Sequence, residues 1–541
     1  MLLSYYMKKN NKYSAKLQKK ADQLAKTILA LCEDSYDQGV MALNDAIKEH
    51  GDDANLVNRL GAECFRSGNY DLALRCFQYV VAKVPEHYSA LNYLGSTLQN
   101  LGLGLDAANA YRQSLHYNPN FLPTLACYGL SLLYYGQTGR HEILRAQKNT
   151  AISAFSSSTK FVDDGEPVSL SRTRRLNVGF VSSDLREHAV GHFMLGILSS
   201  MNRENYAVHV FDNGAENADP TTSLMRSLDV SWHSINSKPT AGACKMITRK
   251  NIDILIDLNG HTAGSRQDVF SNRVAPVQAI YLGYPCSSGM PNIDFRIGDT
   301  FCDLEEFDEQ NTEKMVRLPF AMWNYHPWST MPNNNPQKFP FEKNGYITFG
   351  SANNHAKLQP EWLMLWAKVL EKIPNSRLII KSQGVRNVEI AARIRQIFGA
   401  RVDLDRIELR HYSSTPEDHW REVSGFDIAL DSYPYNGTTT TCDMLWLGVP
   451  VVTCTGSSHL SRTTGSILTT LNLSDWVSSD EDDFINLCIR KAADLESLAL
   501  LKKQLRSRMQ QSTLIDSKAF VPEFDKALRL MWDTFCDNSV A

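Results

Sequence analysis

Displaced by 34 residues, the first third of the chain matches itself at several spaced positions. Leu60-Gly61 recurs as Leu94-Gly95 and again as Tyr128-Gly129, and Gly68 recurs as Gly102 and Gly136. Ala73 matches Ala107, Phe77 matches Tyr111, and Pro85 matches Pro119. A period of this length restricts the fold severely. Each unit is a helical pair too small to bury its apolar face alone, so neighbours must stack. The small residues let paired helices approach, the aromatic fills the gap between them, and the proline stops the second helix. Two full units span residues 54–121, and a third begins at Leu122 without its terminal proline. Ala21 to Gly51 has the pattern of a degenerate pair that caps the stack.

The period and residue pattern resemble the tetratricopeptide repeat. Residues 1–155 are therefore expected to form an all-α repeat domain. Two roles fit so short a stack: a groove that docks proteins, or a buttress for the domain that follows.

At 541 residues the chain is too long for one core. Its 43% hydrophobic and 21% charged residues match a soluble globular protein, and a net charge of −3 asks for no nucleic acid. Lys8-Lys9 and Arg174-Arg175 are short basic runs that read as solvated surface. The 11 cysteines include no CxxC pair, which argues for reduced thiols and against a zinc site. The apolar start, Met1 to Tyr6, is too short for a signal sequence and is followed by lysines. No run reaches about 18 apolar residues. A cytoplasmic protein with no membrane partner is the expectation.

After a polar linker at 156–174 the pattern changes to strands alternating with helices. The first strand run is Leu176 to Val181, followed by candidates at Ala207–Phe211, Ile252–Leu258, Val277–Leu282 and Phe295–Ile297. A Pro-, Asn- and Trp-rich break at 322–345 separates these from a second set: Tyr346–Gly350, Arg377–Ile380, Arg406–Leu409, Asp427–Leu430 and Val449–Cys454. Helical patterns cover Gln359–Ile373, Asn387–Phe398, Cys442–Leu447 and Pro522–Phe535. Such alternation predicts two parallel-sheet lobes, at 175–321 and 346–541, the second closing with a C-terminal helix. Ligands of open αβ sheets bind beyond the strand C-termini.

Those strand ends carry the informative residues. Ser182-Ser183-Asp184 leads to His188 and His192; Asn259-Gly260 leads to His261. Leu282-Gly283-Tyr284-Pro285 follows a third strand, and Gly350 to Lys357 a fourth. The fifth, Asp431 to Asp443, contains Gly437 and four consecutive threonines immediately before a helical pattern. A helix start offers free N–H groups and partial positive charge, which suits a pyrophosphate. Threonine is also an ordinary cap residue. Asp443 is placed to accept hydrogen bonds from ribose hydroxyls.

Taken in order, these motifs resemble the catalytic domain of O-linked N-acetylglucosamine transferases and the related SPINDLY-type protein O-fucosyltransferases, over residues 175–535. The resemblance implies a GT-B fold of two Rossmann-like lobes, no catalytic metal and inversion at the anomeric carbon. It also implies roles for matching positions. Thr439, Thr440 and Asp443 hold the donor pyrophosphate and ribose, and Lys357 neutralises the leaving diphosphate. His419 lies beside the nucleotide base, and Leu282 and Gly283 line the sugar pocket. His188 or His261 serves as general base, because histidine titrates near neutral pH. His192 reads as structural.

Three positions depart from the animal members of that family: Tyr435 replaces a cysteine near the sugar N-acetyl group, Thr438 a histidine, and Pro416 a lysine. The interlobe segment is too short for the extra domain of the animal enzymes, as in compact bacterial forms. The expected activity is transfer of a sugar, N-acetylglucosamine first, from a UDP donor to Ser or Thr of acceptor proteins, which the repeats are placed to dock. No cofactor is required beyond the nucleotide-sugar donor. The alternatives are GDP-fucose or another donor, and a repeat scaffold with inactive lobes. Asp403-Leu404-Asp405 has the DxD spacing of metal-dependent transferases but reads as solvated surface.

Overall fold

A computed structural model describes residues 12–135, 140–155, 169–214, 218–332 and 338–540. Met1 to Tyr6, Lys8-Lys9, Gly136, residues 156–168 of the linker and residues 333–337 between the lobes lie outside the described residues. The chain divides into two compact units. One comprises residues 1–138, 353–367 and 380–412; the other comprises 139–352, 368–379 and 413–541. This division cuts across the boundaries at 155 and 346.

Among the described residues, the first unit has seven helices before residue 136: Lys12–Asp34, Tyr36–His50, Ala54–Arg66, Tyr70–Lys83, Tyr88–Asn100, Gly104–Tyr117 and Leu122–Tyr135. The repeat residues do what their spacing implied. A Cβ at Gly61 would lie 2.8 Å from the Phe77 ring, and one at Gly95 2.7 Å from the Tyr111 ring, so each aromatic packs where only glycine leaves room. The helices ending at Lys83 and Tyr117 stop just before Pro85 and Pro119. Leu43, Val57, Leu60, Leu72, Phe77 and Val80 share one buried cluster.

Segments 353–367 and 380–412 belong to the same unit and are fastened to these helices. Buried Asp71 accepts from Asn387 Nδ2 at 2.9 Å and also from the Tyr36 hydroxyl. The Leu101 carbonyl, exposed by its helix end, accepts from Arg393 at 3.1 Å and meets His355 Nε2 at 3.3 Å. Asp403 caps its own turn by accepting from the Asp405 N–H at 3.0 Å.

The second unit is built on a seven-stranded, all-parallel sheet with strands β1 Leu176–Ser182, β2 Tyr206–Asp212, β3 Ser231–Ser234, β4 Ile254–Asp257, β5 Val277–Tyr281, β6 Phe295–Asp299 and β7 Lys314–Leu318. Their order is β3-β2-β1-β4-β5-β6-β7, and strands such as β4 and β5 are buried throughout. The direction of winding reverses between β1 and β4, which register Val178 with Ile254 and Val181 with Asp257. The remaining strands are β8 Ile347–Ser351, β9 Ser376–Lys381, β10 Ile407–Arg410, β11 Ile428–Leu430, β12 Val451–Cys454 and β13 Val477–Ser478. They form a second sheet, β10-β9-β8-β11-β12-β13, which reverses between β8 and β11. These are two Rossmann-like windings, each with a crevice at its switch point.

The C-terminal helix Ser517–Val540 returns to the first sheet, where Phe524 packs 5.3 Å from Tyr281 and Trp532 stacks 4.7 Å from the Arg174 guanidinium. Strands β3, β7 and β13 escaped the sequence reading. β3 is a short, half-exposed edge strand and β13 has only two residues, so neither displays an apolar run. All cysteines are free thiols. Among the described residues, no helix is long and apolar enough to cross a membrane.

Candidate active site

At the first switch point, Asn259 ties the β1 and β4 ends together. Its amide accepts from the Ser183 N–H at 3.0 Å and donates to Asp184 Oδ2 at 2.8 Å. Asp257 below it accepts from the N–H groups of Asn259 and Gly260; burial pushes this carboxyl up to about 6. The loop that carries His261 therefore stands on a fixed base.

The two candidate histidines have different nitrogens occupied. His188 precedes the helix Ala189–Ser200, and its Nδ1 accepts from the Val190 N–H at 3.3 Å. That bond uses the lone pair, so the neutral ring carries its proton on Nε2. His261 is the reverse. Its Nε2 faces the Ser288 carbonyl at 2.6 Å and must carry the proton, which leaves the lone pair on Nδ1. Burial lowers the pKa of both rings, so both are neutral at pH 7. The tautomer of His261 suits a base; that of His188 suits a helix cap.

His192 is fully engaged: Nδ1 meets the His326 carbonyl at 2.8 Å and Nε2 meets Glu187 at 3.3 Å. This agrees with a structural role.

Leu282 and Gly283 make a sharp turn at the end of β5. Leu282 has φ of +45°, and the Gly283 N–H reaches the Tyr281 carbonyl at 2.7 Å. A Cβ at Gly283 would lie 1.6 Å from the Leu258 carbonyl oxygen, so only glycine fits. The Tyr435 phenol is near enough to Tyr284 to add to the upward push that burial exerts on that residue. Tyr435 and the 282–284 turn therefore lie on one side of the unit.

At the second switch point Asp431 organises the loop, its Oδ1 accepting from the N–H groups of Ser432 and Gly437 and its Oδ2 from Thr453 Oγ1. The helix Thr439–Trp446 begins earlier than its sequence pattern suggested, which places Thr439 and Thr440 in its first turn rather than in the loop before it. Thr438 stands at the cap position, yet its side chain makes no capping hydrogen bond. The ordinary-cap explanation for this threonine thus fails, and the half-buried start of the helix keeps its N–H groups unclaimed by that hydroxyl.

Asp443 lies one turn into the same helix. Its Oδ1 accepts from the Tyr325 hydroxyl at 2.5 Å and the Trp328 indole at 3.0 Å. Burial pushes the carboxyl up to about 7, against the pull of these two donors. The Trp328 ring in turn lies 3.7 Å from that of His192, tilted by 36°, and 6.3 Å from Trp420, whose indole donates to Thr330 at 2.9 Å. His419 meets the Trp420 ring edge-on at 4.6 Å. Pro416 opens the helix Pro416–Val423 at its first position, where proline is favoured; that is a structural reason for its presence.

Sequence reasoning missed Tyr325, Trp328 and Trp420. The aromatic string from Trp323 to Trp328 was visible, but it sat in a stretch assigned to a linker. The structure brings His188, His261, Leu282, Gly283, His419, Tyr435, Thr438, Thr439, Thr440 and Asp443 into one unit. Lys357 falls in the other, at the end of the short turn His355–Lys357 that Asn354 caps.

Buried polar contacts join the two lobes of the second unit. Asp303 accepts from Arg296 at 2.8 Å and meets His459 Nδ1 at 3.0 Å; against the opposing effect of burial, the Arg296 guanidinium and the His459 contact hold it well below the usual carboxylate range.

The family description "Glycosyl transferase family 41" matches residues 140–326 and 336–524. The chain is 35% identical over 373 residues to a Petunia hybrida protein named "Probable UDP-N-acetylglucosamine--peptide N-acetylglucosaminyltransferase SPINDLY". That match covers 68% of this chain and 40% of the relative. An Arabidopsis thaliana protein with the same enzyme name but designated SEC is 27% identical over 375 residues, 68% of this chain and 38% of the relative. The chain thus spans about two fifths of the length of these curated relatives. A solved structure of a Thermobaculum terrenum O-GlcNAc transferase mutant superposes with a TM-score of 0.80 at 28% identity, covering 96% of this chain and 99% of that one.

Proposed function

Because the chain belongs to glycosyl transferase family 41, we propose that it transfers a sugar, N-acetylglucosamine in first place, from a UDP donor to Ser or Thr hydroxyls of proteins, with inversion and without a catalytic metal. The observation that carries this reading is the start of helix Thr439–Trp446. Its N–H groups lack a Thr438 cap, and Asp443 lies one turn on with both of its donors on Oδ1. The helix start receives the pyrophosphate, and Asp443 Oδ2 receives the ribose hydroxyls. The family resemblance gives the leaving diphosphate to Lys357 and the base to the neighbourhood of His419.

At the sugar end, His261 Nδ1 takes the proton from the acceptor hydroxyl as its oxygen attacks the anomeric carbon. The bond from that carbon to the diphosphate breaks in line, and negative charge passes to the diphosphate. The repeats dock protein acceptors, and the free thiols fit a cytoplasmic setting.

Radiolabel transfer from UDP-N-acetylglucosamine to co-expressed proteins, in the presence of a chelator, tests this reading. Transfer retained by a Lys357→Ala, Asp443→Ala double variant would sink the site assignment.

A second reading keeps the chemistry and changes the donor to GDP-fucose or another nucleotide sugar. It is favoured by Tyr435, beside the 282–284 turn. Thermal stabilisation by GDP but not UDP would select it. Failure to bind either nucleotide would favour a repeat scaffold with inactive lobes.

A further inference from the structure

Among its described residues the helix Arg140–Phe155 buries two polar side chains, Gln147 and Thr150, and the reaction described above uses neither. Gln147 is 1% exposed, and its Nε2 donates to the Tyr284 hydroxyl at 2.7 Å and approaches Cys286 Sγ at 3.7 Å. The helix runs hard against the loop at 284–289: a Cβ on Gly289, which has φ of +68°, would lie 2.6 Å from the Gln147 carbonyl carbon. The same loop is pinned on its other side by buried Glu313, which accepts from the Ser287 hydroxyl at 2.7 Å and the Ser288 N–H at 2.8 Å.

This loop holds His261 at two points. The Ser288 carbonyl fixes the proton on Nε2, and the Tyr284 ring lies edge-on to the imidazole, 5.2 Å between centroids at 73°. The orientation of the free Nδ1 therefore depends on where Tyr284 sits, and Gln147 holds the hydroxyl end of Tyr284. We propose that Gln147 is a positioning residue for His261, acting through Tyr284, so that the helix preceding the catalytic lobe sets the geometry of proton transfer. The inference rests on the reading of His261 as the base. Gln147 touches neither donor nor acceptor. Its effect is expected on the chemical step, because a small displacement of a reacting group costs rate without costing donor affinity.

The test is a cycle of Gln147→Met, Tyr284→Phe and the double variant in the full chain. Each is measured for kcat and donor KM across pH, and for UDP affinity by calorimetry. Each single variant is expected to lower kcat by about tenfold, to displace the acid limb of the kcat profile and to leave UDP affinity unchanged. The double variant is expected to lose no more than either single one. Multiplying losses, a kcat within twofold of wild type, or a parallel loss of UDP affinity and thermal stability would overturn the proposal. Should Gln147→Met fail to fold, Tyr284→Phe deletes the same hydrogen bond without altering the helix, and an unchanged kcat there is equally fatal. Absence of transfer by the wild type would instead overturn the transferase reading and this inference with it.

Discussion

The proposed phosphate end of the site carries its groups on one segment, Asp431 to Asp443: Asp431 orders the loop, and one helix supplies both the N–H groups and the carboxylate, while Thr453, Tyr325 and Trp328 brace the two carboxylates from elsewhere in the chain. The sugar end is assembled differently. His261, the 282–284 turn and Tyr435 come from three strand ends, and loops fastened by Asn259, Glu313 and Gln147 set their positions. Groups carried on one segment keep their spacing to one another when distant loops shift. A site made by several loops changes when any one of them changes. Donor nucleotide and donor sugar are therefore expected to respond differently to mutation, and that contrast can be broken experimentally.

The largest expected effect lies at the sugar end. His261→Ala should lower kcat by roughly a thousandfold through loss of the base, with UDP affinity retained. The wild-type rate should fall as pH drops through a value below 6.5, because burial lowers the pKa of His261 and only the neutral ring accepts a proton. A profile with no acid limb would remove His261 from the mechanism.

At the phosphate end, Asp443→Ala should raise the donor KM by roughly a hundredfold, the cost of losing hydrogen bonds to a charged acceptor. The same residue predicts a stability signature. Its pKa is about 7 in the folded chain against an ordinary value of 3.8. A raised carboxyl favours folding most below its unfolded pKa, and that contribution is lost as pH rises through about 7. Asp443→Asn keeps an acceptor for Tyr325 and Trp328 but has no charge to bury. It should unfold at a higher temperature than wild type at pH 8 while binding donor more weakly, a trade of stability for function. Equal melting temperatures at pH 8 would contradict the burial argument.

Tyr435→Cys has a smaller expected effect: a shift of about tenfold in preference between N-acetylglucosamine and smaller donor sugars, read as a ratio of kcat/KM values. His188→Ala is the mildest. It should cost about 1 kcal/mol of stability as a lost helix cap and leave kcat within a few-fold of wild type. A thousandfold loss there would reverse the assignment of the two histidines.

The phosphate end was also the more legible in the sequence. A glycine, a threonine run and a helical pattern are local signals, and the repeats announced themselves by period. The strand-and-helix alternation gave the two windings, apart from short or polar strands such as β3 and β13, which other strands stabilise. At the sugar end, which nitrogen of His188 or His261 is occupied depends on Val190 and Ser288, and no local pattern encodes the second pairing. Tyr325 and Trp328 reach Asp443 from more than a hundred positions away. Only the fold brings them there, although their aromatic string was a signal worth reading as more than a linker.

Transfer from radiolabelled UDP-N-acetylglucosamine to protein hydroxyls, comparing wild type with His261→Ala and Asp443→Ala in chelator, tests the central claim most directly. The expected result is metal-independent labelling by wild type. His261→Ala should lower turnover by roughly a thousandfold but still bind UDP, and Asp443→Ala should require far more donor. Labelling unchanged in both variants, or no nucleotide binding by the wild type, would contradict it.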